Sequence, residues 1–226
     1  TKYLNRNGVE VETDYYPEWK TKKKADAILV LRGKYPYEPE KGIPHIMWNI
    51  SHPESVTLEE YEKYDLIFVA SEKHANFLKA NISKPVFPLL QCTDPEEFQP
   101  FPPLHRQRKD IIFVGNSKGV ARPGIIWATE LELPLKIWGR DWENWVDNDY
   151  IVNDYIDNKE LGILYSSSRA ILNDHYEDMK RFGYINNRVF DALSCGLPII
   201  SDFHEDLYKL FPNEILYYTN KEELKD

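Results

Sequence analysis

Residues Arg181–Asp202 read RFGYINNRVFDALSCGLPIISD, and this stretch decides the fold class. A loop carrying Gly183 leads into a helix over Asn186–Cys195. Gly196 caps the helix, and the apolar run Leu197–Ser201 follows as a strand. On that helix Val189, Ala192 and Leu193 fall at i, i+3 and i+4, an apolar face for a sheet. Arg188 and Asp191 share the other side, and the spacing predicts that both point away from the core.

The same alternation extends outward in both directions. Ala27–Leu31, Pro44–Trp48, Leu66–Ala70 and Val86–Leu90 read as strands buried on both faces. Thr57–Tyr64 and Glu72–Asn81 read as helices between them. Thr57 and Glu60 form a capping box and Ser71 an N-cap. Further on, Ile111–Val114, Leu135–Trp138, Ala170–Leu172, Leu197–Ser201 and Ile215–Tyr218 read as strands. Gly124–Glu132, Asn158–Ser167 and Glu205–Leu210 join Asn186–Cys195 as helices, with a last one at Lys221–Asp226. Such alternation predicts an α/β protein of two Rossmann-like domains, residues 1–98 and 111–226. The Pro-rich 99–110 segment, with His105, Arg106, Arg108 and Lys109, is the expected linker. Thr1–Asn7 reads as a helix tail capped by Gly8, and Val9–Thr13 as the next strand. The N-terminal domain is therefore expected to lack its first strand in this numbering. Contact between the domains is expected to be small.

Composition narrows the function. The 226 residues carry 28 Lys plus Arg against 37 Asp plus Glu, a formal charge of −9. That balance offers nucleic acid or an anionic membrane no global attraction, so any phosphate needs a local site. No apolar run approaches the ~18–20 residues of a membrane span, and the opening TKYLNRNG has no apolar signal core. A cytoplasmic protein is expected. Two cysteines exclude a disulfide framework or a Cys-based zinc site.

Three groups could carry chemistry. Gly115-Asn116-Ser117-Lys118-Gly119 follows a strand, where turn N–H groups with Lys118 and Arg122 can meet an anion. In the opening stretch, the helix start after the Arg181–Gly183 loop can receive a phosphate. Arg188 would assist, and Asp191 can accept hydroxyl protons. His52, in the loop SHPE after a strand, is a candidate for proton transfer. Asp147-Asn148-Asp149 has the D-x-D form of a metal site, but it lies in an acidic stretch where chance produces that spacing. His175 with Glu177 and Asp178 lacks further ligands, so no metal or cofactor is expected.

Several segments resemble those of two-domain (GT-B) group 1 glycosyltransferases, in the family's order. They are Asp94-Pro-Glu-Glu-Phe98-Gln-Pro100, the strand IIFVG, Leu135-Lys-Ile-Trp-Gly139, Leu161–Ser168, and Asp191-Ala-Leu-Ser-Cys195-Gly196-Leu-Pro198. The pattern Asn173…Gly183…Arg188-Val-Phe-Asp is most similar to the spore-maturation CgeB-like branch. The resemblance covers residues 90–226 well and 40–90 loosely. It implies a nucleoside-diphosphate sugar donor in the second domain. Asp191 would meet the ribose, Arg181, Gly183 and Arg188 the diphosphate, Gly115–Arg122 its other side, and Tyr155 and Ile156 the base. The first domain would take a glycan or glycoconjugate acceptor, with His52 as a candidate general base or acceptor contact. The family's first Glu, eight residues before the second, is replaced here by Gly183. A nucleotide-sugar epimerase and a non-catalytic nucleotide- or protein-binding module on this fold are the alternative readings.

Overall fold

A computed structural model describes residues 1–16, 18–20, 24–102 and 110–225. The basic run His105–Lys109, most of the expected linker and Asp226 lie outside the described residues. The strands form two separate parallel sheets. The first is ordered β1 (Ile28–Arg32), β2 (His45–Asn49), β3 (Leu66–Val69), β4 (Val86–Pro88). The second contains β5 (Ile111–Val114), β6 (Leu135–Trp138), β7 (Ile151–Asn153), β8 (Ala170–Asn173), β9 (Ile199–Asp202) and β10 (Ile215–Tyr218). Its order is β10-β9-β8-β5-β6-β7. Counted within the second half, that is the doubly wound Rossmann order.

The two orders dictate how the sheets are covered. In the first sheet the chain moves steadily one way, so right-handed crossovers put every helix on one face. Helices α2 (Leu58–Glu62) and α3 (Glu72–Asn81) lie there, over Val30, Met47, Ile67, Val69 and Val86. The opposite face carries Leu29, Leu31 and Phe87, each at least half exposed. This corrects the expectation that these strands are buried on both sides. In the second sheet the chain reverses direction at β5. Helices α4 (Pro123–Glu130), α5 (Asn158–Ser167), α7 (Asn187–Ser194), α8 (Glu205–Leu210) and α9 (Lys221–Lys225) then have two faces to cover. The cores on either side of β5 are distinct, one around Ile112, Ile171 and Ile199, the other around Phe113, Leu172 and Ile137.

Local signals set the helix ends. Thr57 Oγ1 accepts from the Glu60 N–H at 3.2 Å and Ser71 Oγ from the His74 N–H at 3.0 Å. The capping box is only half made. Glu60 turns instead to buried Arg32, whose Nε lies 2.6 Å from its carboxylate. Gly196, at φ +71°, closes α7, with Leu197 N–H on Ala192 O and Gly196 N–H on Leu193 O. Helix α1 (Lys2–Arg6) ends the same way at Gly8, but Val9–Thr13 forms no strand.

The two halves exchange segments. Phe98 and its neighbours pack on α5 and α7, where Ser194 Oγ donates to Phe98 O at 2.6 Å. In return, residues 176–184, which contain the short helix α6 (Glu177–Arg181), bury Met179 and Tyr184 in the core of the first half. The hydroxyl of wholly buried Tyr184 donates to Asn49 Oδ1, which also accepts from Tyr61. His74 Nδ1 sits 2.9 Å from the same tyrosine oxygen. The expected small contact between halves is thus replaced by a buried polar network. Its cause is the segment 176–184, of which only the part around Gly183 was read from sequence, as a loop.

Candidate functional site

A doubly wound sheet opens a crevice at the carboxyl ends of the strands where the order reverses, here β5 and β8. A cleft of about 380 Å³ lies there, within the range of small-molecule sites. The second half lines it with Lys118 and Arg122 after β5, with Asp174, His175 and Tyr176 after β8, and with Asn186, Asn187 and Arg188 at the start of α7. The first half contributes Ile50, Ser51, His52 and Glu54, from the loop after β2, and Gln91.

Of the residues singled out from sequence, His52, Lys118, Arg122 and Arg188 meet in this cleft. His52 and Lys118 both hold left-handed backbone, at φ +53° and +56°. Non-glycine residues in that region cost free energy and concentrate at functional sites. Burial lowers the His52 pKa, and the neighbouring Lys118 charge lowers it further. Lys118 is exposed, with Nζ 5.0 Å from the Tyr176 ring centroid.

Arg122 and Arg188 are built into the wall. Arg122 is 5% exposed and pairs with equally buried Asp174, its Nη2 2.6 Å from Oδ1. Burial pushes the Asp174 carboxyl up and the arginine opposes that push. Arg188 Nε donates to Val114 O and Nη1 to Asn173 Oδ1, both at 2.8 Å. Its guanidinium carbon lies 4.8 Å from the Phe113 ring centroid. Gly115 makes that approach possible: a Cβ there would stand 2.6 Å from Arg188 Nη2. Burial, then Arg122, lowers the Arg188 pKa.

The other expected residues stand elsewhere. The Gly115 and Ser117 N–H groups are engaged by Trp138 O and Arg140 O, so the turn does not offer these N–H groups to an anion. Asn116 accepts from Arg140 N–H and Ser117 Oγ donates to Val120 O. Asp191 is 5% exposed and lies inside the helix packing, not at the cleft surface. It accepts from Asn187 Nδ2 at 3.1 Å, and burial raises it to about 6 against the Thr93 side chain, the Asn187 bond and the Arg188 charge. One turn along α7 from Arg188, its side chain meets the protein before it meets the crevice. Gly183, at φ +78°, packs against Ser71 and Lys73, carried there by the segment that buries Tyr184. Exposed Arg181 reaches Glu54 at 3.4 Å, across the halves. Exposed Tyr155 and half-buried Ile156 follow β7, two strands from β5 on the same sheet edge.

Asp174, Tyr176, Asn186 and Asn187 were not singled out as ligand groups, and His175 was weighed only as a metal ligand with Glu177 and Asp178. Their one sequence signal was position: two short runs beside the Ala170–Leu172 strand end and the start of the Arg188 helix. Asp147 precedes and Asp149 lies within a short 3-10 turn, away from the cleft lining. Among the described residues no group of three or more His, Cys, Asp or Glu is placed to hold a metal ion, and no helix is long and apolar enough to cross a membrane.

Comparison with known proteins bears on the fold. Residues 124–226 match a family described as glycosyl transferase-like. Among solved structures, AviGT4, a glycosyltransferase involved in avilamycin A biosynthesis, superposes with a TM-score of 0.51 at 14% identity. The alignment covers 85% of this chain and 60% of that enzyme, so this chain spans about three fifths of its length. At that identity the likeness concerns the fold. No curated protein matches the chain.

Proposed function

We propose that the cleft binds a nucleoside-diphosphate sugar and transfers its glycosyl group to a hydroxyl of a glycan or glycoconjugate, without a metal. The observation that carries the reading is the meeting of His52, Lys118 and Arg188 at the β5/β8 reversal, beside the glycosyl transferase-like segment. Transfer leaves a nucleoside diphosphate whose charge must be neutralised. Exposed Lys118 and the Nη2 of Arg188 are placed to do so, with the first turn of α7 beside them. His52, across the cleft, takes the acceptor proton. Residues 111–226 are assigned to the donor and 1–98 to the acceptor, and the CgeB-like branch is the affiliation we infer. Asp191 acts here through Asn187, which it holds at the cleft, rather than by touching ribose.

Nucleotide binding followed by calorimetry tests the reading. Lys118→Ala should weaken a nucleoside diphosphate roughly ten- to a hundredfold, since bonds to charged groups contribute about 1.5–3 kcal/mol. Chelator should leave affinity and transfer unchanged. Absence of binding by any nucleoside diphosphate or its sugar would overturn the proposal. Binding without transfer would favour the nucleotide-binding module.

A further inference from the structure

Among the described residues few buried side-chain polar atoms lack a hydrogen-bond partner, and three of them, Asp174 Oδ1, His175 Nε2 and Asn186 Oδ1, belong to cleft-lining residues. Asp174 Oδ1 is ion-paired, 2.6 Å from Arg122 Nη2, which leaves His175 Nε2 and Asn186 Oδ1. Buried polar groups are otherwise nearly always satisfied, so each such atom needs an account. Their polarity follows from the bonds behind them. His175 Nδ1 lies 2.9 Å from Asp202 Oδ1, and the His175 side chain is 1% exposed. Burial opposes ionisation of Asp202, but His175 and Lys180 hold its carboxyl below the usual range. A carboxylate only accepts, so Nδ1 carries a hydrogen, and in the neutral ring Nε2 is a bare acceptor.

Asn186 is oriented by a similar chain. Arg188 Nη1 donates to Asn173 Oδ1, which makes that atom an oxygen, while Asn173 Nδ2 donates to Ser201 Oγ at 2.9 Å. Asn186 Nδ2 then donates to Asn173 Oδ1 at 3.0 Å and to Asp174 O at 3.4 Å. The Asn186 amide oxygen is left facing no donor. A diphosphate has only acceptors and cannot satisfy either atom. Hydroxyl groups can.

The neighbouring ring does not satisfy His175 Nε2. His204 Nδ1 accepts from the N–H groups of Asp206 and Leu207, so its Nε2 carries a hydrogen. Its centroid is 4.9 Å from that of His175, in edge-on packing, and no hydrogen bond joins the two rings.

We propose that His175 and Asn186 form a hydroxyl-binding subsite for the transferred sugar, beside the cations that take its diphosphate. The cleft wall is thereby divided: Lys118 and Arg188 donate to the anion, and His175 Nε2 and Asn186 Oδ1 accept from sugar hydroxyls. Asp202 is a positioning residue that sets the His175 tautomer. The inference rests on the donor assignment above, and it names the donor sugar as one with free hydroxyls on this wall.

Asp202→Asn is the informative variant. Lys180 contacts Asp202 Oδ2 at 3.3 Å, and would hold the new amide oxygen there. The amide nitrogen then faces His175 Nδ1, and the hydrogen moves to Nε2. Shape is kept and polarity reversed. Calorimetry should show that the wild-type protein binds the nucleoside-diphosphate sugar more tightly than the bare diphosphate. In Asp202→Asn, and in His175→Leu as a second variant, that advantage should fall about tenfold, with diphosphate affinity held within about twofold. No advantage in the wild type, or an advantage that survives both variants, overturns the subsite. If no nucleotide binds at all, the donor assignment falls, and free monosaccharides read the subsite directly through the His175 Nε2 nitrogen resonance. A shift with sugar but not with pyrophosphate upholds it; no shift with any sugar overturns it.

Discussion

The first sheet, β1–β4, and the second, β5–β10, are built from the same parallel strand unit, yet only one has two covered faces. β1 alternates between buried and exposed positions, while all four residues of β8 are buried. Strand composition does not explain this, since ILVLR and AILN are both apolar runs. Chain direction does. A steady march of strands keeps the crossovers on one side, and a single reversal sends them to both. The reversal also parts the connections leaving β5 and β8, and that parting is the floor of the cleft. The difference teaches that the site and the two-sided core have one topological origin. The first sheet, with neither, contributes to the cleft only through the loop after β2 and Gln91 beyond β4.

The largest expected effect breaks the comparison directly. Leu172, 1% exposed in β8, should lose about 2–5 kcal/mol on Leu172→Ala through lost burial and the cavity left behind. Leu31, 55% exposed in β1, should lose under about 1 kcal/mol on the same change. Denaturant unfolding of the two variants measures both. Equal losses would mean that the outer face of the first sheet is covered in solution.

A pH effect sharpens the contrast between the halves. Asp191 in the second half is raised to about 6, so the folded protein holds its proton more tightly than the unfolded chain. Between the ordinary aspartate pKa and about 6, stability should therefore fall as pH rises, by up to about 3 kcal/mol in all. Asp191→Asn should remove that slope and stabilise the protein above pH 6. This reverses the expectation that Asp191 points away from the core. His74 in the first half is lowered by burial to about 4, and its contribution has the other sign: stability is lost as pH falls from the ordinary histidine value toward 4. Melting temperature against pH for Asp191→Asn and His74→Gln separates the two.

The smallest effect concerns the tie between the halves. Tyr184→Phe keeps the ring but leaves Asn49 with Tyr61 alone and His74 Nδ1 without its tyrosine partner. It should cost about 1–3 kcal/mol. Combined with Asn49→Ala the losses should be non-additive, as expected of groups in one network. Strict additivity would show that the network does not couple the halves.

Periodicity made much of this legible. Val189, Ala192 and Leu193 placed α7 against the sheet, Ser71 and Thr57 marked helix starts, and the Gly196 turn was readable from one residue. The apolar runs located most of the strands, because a buried strand must be apolar wherever it sits. The three-residue β7 escaped, since Ile151–Asn153 is short and follows an acidic stretch. Helix α6 escaped because five residues carry too little periodicity. Arg188 was legible as a cleft residue because its position in the first helical turn is a local property. Asp191 was misplaced because its surroundings come from elsewhere in the fold.

What the sequence by itself determined are the features that depend on neighbours within a few residues: strands, helices, caps and the charged start of α7. Only the tertiary structure decided the rest. It folded residues 176–184 into the first half, turned Glu60 toward Arg32, and gave His52 and Lys118 their left-handed backbones. It also left His175 Nε2 and Asn186 Oδ1 without donors. The physical reason is range. A helix or strand is selected by the repeat of its own side chains, whereas burial, tautomer and hydrogen-bond direction are set by groups tens of residues away. No local pattern in the chain records those contacts.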